Sequence, residues 1–157
     1  RQVKAAIEQP VTVADNYEWW AEDGAALAAE VDFLGVHTYP VWENKPIEEG
    51  LSYTIENIER VRNALPGHPI AILEAGWATV AEEFPEQAGI ANQVRYLREL
   101  TAWARAEQMT VFIFEAFDEP WKGDPSRPLG AEKHWGMFYV DRTPKYPIDQ
   151  AIAPVDN

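Results

Sequence analysis

At 157 residues the chain is long enough for one domain with a proper hydrophobic core. Its 26 acidic side chains outnumber 13 basic ones, and a formal net charge of -13 makes phosphate backbones and anionic lipid poor partners. The absence of cysteine rules out disulfides and thiolate metal sites and leaves the redox compartment open.

Seven tryptophans are many for this length. Indole rings offer flat apolar platforms with one polar N–H, which suits the mixed faces of a sugar, although core packing is the plainer use of any one of them. A neutral ligand such as a sugar fits the charge better than an anion does. No apolar stretch approaches the ~18 residues that span a membrane, so no membrane contact is expected of this segment.

In chain order, residues 1–8 read as part of a helix. They lack the apolar core of a signal peptide, and the chain begins as though something preceded it. Residues 11–14 form the first apolar run and residues 25–30 a short helix. The second apolar run covers residues 31–36. Ile55, Ile58, Val61 and Leu65 then recur at helical spacing and stop at Pro66-Gly67. The third run, Ile70 to Leu73, ends abruptly in Glu74, followed by Gly76 and Trp77. Val94, Leu97, Leu100, Thr101 and Ala104 mark a helix over about residues 88–107, with Arg95, Arg98 and Glu99 facing outward. The fourth run, residues 109–114, ends in Glu115 and leads to Asp118 and Glu119.

Helices alternating with buried strands mean parallel strands joined by right-handed crossovers. Segments after the strands are long and carry most of the Trp, Tyr, His and acidic residues, whereas segments before them are short. That asymmetry puts the working face at the C-terminal ends of the strands, as in a (β/α) barrel. Four βα units cannot close an eight-stranded barrel of ~250 residues. The chain is therefore half of a barrel or a small doubly wound domain. The second ranks last, because no Gly-rich phosphate loop follows any strand.

The motifs favour the half-barrel. Ile72-Leu73-Glu74-Ala75-Gly76-Trp77 resembles the nucleophile strand of glycoside hydrolase family 17, the β-1,3-glucanase and glucanosyltransferase family. The segment from Phe114 to Lys122 looks like that family's eighth strand, and residues 132–138 look like its final motif. Residues 36–40 are similar to its sixth strand and residues 13–16 to its fifth in bacterial members. Asn92-Gln93 also matches. The resemblance implies an α/β fold, half of a TIM (β/α)8 barrel, with residues 1–157 forming a single half-barrel domain of four parallel βα units, strands five to eight.

It further implies retaining cleavage or transfer of β-1,3-glucan, with Glu74 as the nucleophile. Retention needs an ionised carboxylate below the anomeric carbon and a protonated carboxyl ~5–5.5 Å away. Glu119, Lys122 and Glu132 are implied as supports for Glu74 and the substrate hydroxyls, with ordinary loop salt bridges as the alternative. Tyr39 is expected to donate to Glu74 or else to pack as wall. Trp77, Trp121 and Trp135 are candidates for sugar stacking, and Asn16 lies near where the acid acts. Trp103 reads as packing, and Trp19-Trp20 as either. His37 and His134 show no metal-ligand spacing, and neither a metal nor a cofactor is implied.

The family's acid/base Glu ends the fourth strand, which has no counterpart here. Three readings follow. The chain is an enzyme half completed by an N-terminal half-barrel, a homodimer of half-barrels burying the open edges, or a non-catalytic glucan-binding module.

Overall fold

The computed structural model describes residues 1–152. Four strands form one sheet, β1 (Ala14–Asn16), β2 (Leu34–Thr38), β3 (Ile70–Ala75) and β4 (Val111–Ile113). They lie in the order β1-β2-β3-β4, and every neighbouring pair is parallel. A doubly wound sheet reverses its order at a switch point; this one runs in a single direction, as successive staves of an α/β barrel do.

The helices between the strands are α1 (Tyr17–Asp23), α2 (Ala25–Ala28), α3 (Gly50–Ala64) and α4 (Ile90–Ala106), and the short α5 (Ile148–Ala151) follows β4. α1 starts where the Asn16 side chain accepts from the Glu18 N–H, satisfying one of the donors a helix leaves free at its first turn. Tyr17 and Trp20 are its buried residues, and the Trp20 indole N–H donates to the Gly35 carbonyl of β2 at 2.8 Å. α3 turns Thr54, Asn57, Ile58 and Val61 inward, and Asn57 donates to Thr38 of β2 at 3.1 Å. α4 buries Gln93, Tyr96, Leu97, Leu100 and Ala104, and the Tyr96 hydroxyl meets Thr54 at 2.8 Å. Leu34, Val36 and Ile72 join these residues in one core between sheet and helices.

Two expectations need correction. Residues 1–8 form only a turn, with Ala5 and Ala6 donating to Arg1 and Val3, and all of residues 1–10 are exposed. Helix-forming residues without a face to bury do not sustain a helix this short. The first strand lies at Ala14–Asn16, later than residues 11–14; Val11 instead closes on Asp32, its carbonyl accepting from the Asp32 N–H at 2.8 Å and its N–H donating to the Asp32 carboxylate at 2.7 Å.

The opposite face of the sheet is open. Phe112 is 58% exposed and Val13 41%, and Phe33, Ala71, Leu73 and Phe112 line an apolar groove of about 600 Å³. In a closed barrel this is the face that points to the axis.

Candidate active site

Glu74 reaches the site through an irregularity in β3. Val36 pairs with Ile72, yet the next residue of β2, His37, pairs with Glu74, so Leu73 is extra. On the other side Ile72 pairs with Val111 and Ala75 with Ile113, again one residue more in β3 than in its partner. Strict alternation would put Glu74 on the same face as Ile72, which is fully buried in the core against the helices. The bulge moves it to the side of His37 instead, the re-aiming of a side chain for which bulges are used. Gly76 then permits a close approach: a Cβ there would stand 1.8 Å from the Phe114 carbonyl oxygen.

Around Glu74 the contacts converge on one oxygen. The Tyr39 hydroxyl donates to Oε2 at 2.7 Å, and His37 Nδ1 lies 3.4 Å from the same atom. Burial, and then the Glu74 carboxylate, hold the Tyr39 hydroxyl far above its usual range, so it stays protonated and donates. Its ring is braced edge-on by Trp135 at 5.1 Å and Phe114 at 5.9 Å. The Glu74 side chain keeps 34% of its surface exposed. It is thus oriented from below and accessible from above.

Beyond β4, Lys122 gathers the second group. Its Nζ lies 2.9 Å from Glu119 and 3.7 Å from Glu115, and 4.2 Å from the centre of the Phe114 ring. Burial works against its charge, but Glu119, Glu115 and Glu132 together hold the ammonium above its ordinary value. Glu119 is depressed chiefly by its bond to Lys122. Glu132 acts through charge on both Tyr39 and Lys122, which puts it within electrostatic reach of the Tyr39–Glu74 pair and of the Lys122 group.

The tryptophans divide differently. Trp121 is 71% exposed and presents its ring. Trp77 at 0% and Trp135 at 1% exposure cannot stack on a sugar, which corrects their assignment as platforms. Trp77 packs on Tyr96 and donates to the Gln87 carbonyl, while Trp135 is the wall behind Tyr39. Trp20 is core, and Trp103 packs against it. Asn16 is exposed, with its side-chain oxygen engaged in capping α1.

Trp42 is an aromatic of this face that no motif marks. It lies in the turn Pro40–Glu43 directly after Tyr39, 38% exposed, with its ring against Phe84 and 6.0 Å from Trp135. An aromatic residue in the loop leaving a strand's C-terminal end was the available signal. A second feature unseen in the sequence is the pairing of Lys145 with Asp118 at 2.7 Å, its side chain 1% exposed. Thr79 and the Gly136 N–H complete that cluster and pin the segment after β4 beneath the site.

A parallel, singly wound half-sheet with an oriented carboxylate at a strand's C-terminal end is the arrangement of an α/β-barrel enzyme site, one that glycosidases share. The model of the BtgE/BtgC glycoside hydrolase domain matches residues 1–136, and the chain belongs to this family. Glucan 1,3-beta-glucosidase BGL2 of Candida albicans is 36% identical over 156 residues, which are 93% of this chain and 50% of that protein. The glucan 1,3-beta-glucosidase of Schizosaccharomyces pombe is 29% identical, over 94% of this chain and 48% of its own. Among solved structures, an active-site mutant of the Rhizomucor miehei β-1,3-glucanosyltransferase, in complex with laminaritriose, superposes with a TM-score of 0.80. It is 28% identical over 92% of this chain and 52% of its own. Another structure of the Rhizomucor miehei glycoside hydrolase family 17 β-1,3-glucanosyltransferase gives 0.78 at 29% identity. The chain spans about half the length of the relatives it matches, and its fold is half of their barrel.

Proposed function

We propose that this chain contributes the nucleophile side of a retaining β-1,3-glucan site, with Glu74 as nucleophile. The observation that carries the reading is the Tyr39–Glu74 hydrogen bond of 2.7 Å, made where the β3 bulge turns Glu74 out of the helix-facing core. A carboxylate held by one oxygen leaves the other free for the anomeric carbon.

In the first step Glu74 attacks that carbon, the glycosidic bond breaks, and the leaving oxygen takes a proton from a second carboxyl. A glycosyl ester on Glu74 results. Water, or a hydroxyl of another glucan, then attacks the ester, the second carboxyl removes its proton, and Glu74 is released as carboxylate. Glu119, Lys122 and Glu132 hold the sugar hydroxyls by charge-assisted hydrogen bonds. Trp121 and Trp42 offer ring faces to a neutral glucan, and Asn16 lies at the edge nearest the acid.

The second carboxyl comes from strand four of the barrel, whose N-terminal half covers the open inner face. The exposure of Phe112 and the apolar groove beside it favour a second reading for that cover, a second copy of the chain. Reducing-sugar release from laminarin tests the reading, with the barrel's N-terminal half present and absent. Glu74→Gln is expected to abolish release; a variant that hydrolyses as well as wild type overturns Glu74 as nucleophile. Laminarin bound but never cleaved under either condition would instead make the chain a glucan-binding module.

A further inference from the structure

Glu115 is the one carboxylate of the cluster to which the mechanism gives no task. It lies just beyond β4, after Phe114, and its backbone is fixed on both sides: its N–H donates to the Trp135 carbonyl at 3.4 Å and its carbonyl accepts from Met137 at 3.0 Å. The side chain is 15% exposed. One oxygen, Oε1, is buried and has no hydrogen-bond partner, and the other faces Lys122 at 3.7 Å. Lys122 in turn stands closer to Glu119, at 2.9 Å. Two carboxyl groups therefore share one ammonium group, and the better-buried one has the longer contact.

We propose that Glu115 is a positioning residue of the glucan site: it competes with Glu119 for Lys122 and so sets where the ammonium stands when it meets sugar hydroxyls. The inference rests on the glucan reading above. Burial, with the neighbouring Glu119 and against the opposing pull of Lys122, raises the Glu115 carboxyl from the ordinary 4.5 to about 7. Below that pH Glu115 is neutral, and Lys122 belongs to Glu119. Above it Glu115 is a carboxylate, Lys122 is drawn inward between the two, and the cluster gains a negative charge. The other groups that feel Glu115 are Tyr39 of the loop after β2 and Lys145 of the tail; Glu74 and Glu132 act on the same Tyr39. Of the two cations, Lys145 is held at 2.7 Å by Asp118, so Lys122 is the one left to respond.

Carboxyl carbon shifts of glutamate-labelled protein test this without any ligand. Glu115 is expected to titrate near pH 7, and the Glu119 resonance is expected to move in the same step. Glu115→Gln should remove that step from Glu119, and Lys122→Met should push the Glu115 titration higher. A Glu115 that titrates as an ordinary glutamate, or a Glu119 that ignores its step, overturns the proposal. With laminaritriose as the probe, affinity should weaken by about tenfold between about pH 6 and about pH 8.5 in wild type and stay level in Glu115→Gln. Level binding in wild type overturns the proposal. Absence of laminaritriose binding in both proteins at every pH overturns the glucan reading instead, and the ligand-free titration tells the two failures apart.

Discussion

Tyr39 and His37 approach a single oxygen of Glu74, and the hydroxyl at 2.7 Å is the stronger claim on it. Because burial and Glu74 itself keep Tyr39 protonated, that bond persists across the working pH range. Tyr39→Phe should lower the rate of laminarin cleavage by about 10- to 100-fold while leaving the fold intact, the cost of one hydrogen bond to a charged group. An unchanged kcat would place Tyr39 in the wall only. Glu115 makes a linked prediction for stability. Its carboxyl is raised in the folded state, so between pH 4.5 and about 7 the native protein holds a proton that the unfolded chain has lost. Its contribution is present below the lower value and fades as pH rises to the upper. Glu119, depressed by Lys122, has the opposite sign, and its contribution is lost as pH falls. Urea denaturation should show wild type losing stability relative to Glu115→Gln from pH 4.5 to about 7; a gain over that interval contradicts the assignment.

At the level of elements, Gln93 ties the site's supports together. Its amide donates to the carbonyls of Trp77 at 2.7 Å and Trp135 at 2.9 Å, and its oxygen accepts from the Tyr146 hydroxyl at 2.7 Å. Gln93→Leu leaves these buried groups unpaired and should cost about 2–4 kcal/mol of stability in thermal or chemical unfolding. Gly76→Ala places a methyl group against the Phe114 carbonyl and should cost about 3 kcal/mol or more. The last three strands and the two long helices were legible because apolar runs and helical spacing survive in one dimension, whereas β1 begins only where its apolar run ends. α1 was not, since its burial rests on just Tyr17 and Trp20. Residues 1–8 do not hold the expected helix for the converse reason, propensity without a surface to pack on. The candidate site residues stood out as motifs, and the fold pairs Glu74 with Tyr39 and Glu119 with Lys122. The bulge was not, because an extra residue in a strand changes no composition. Nor was the burial of Trp77 and Trp135, since an indole reads alike as platform and as core.

Over the whole molecule, the decisive feature is the uncovered inner face, with Phe112 and Val13 exposed beside an apolar groove. Such a face seeks a cover. Where an N-terminal half-barrel is that cover, mixing it with the 17.8 kDa chain should give their summed mass in light scattering; a stable species of twice 17.8 kDa in the chain alone would favour the second copy. Neither outcome bears on Glu74, and a substrate that needs no acid does. Fluoride departs without protonation, so a 2-deoxy-2-fluoro laminaribiosyl fluoride requires only the nucleophile to form the glycosyl ester, and the fluorine at C2 slows its hydrolysis. Incubation followed by peptide mass spectrometry then locates the nucleophile. One glycosyl adduct is expected, on Glu74, absent from Glu74→Gln. An adduct on Glu115, Glu119 or Glu132, or labelling that survives in Glu74→Gln, would contradict it.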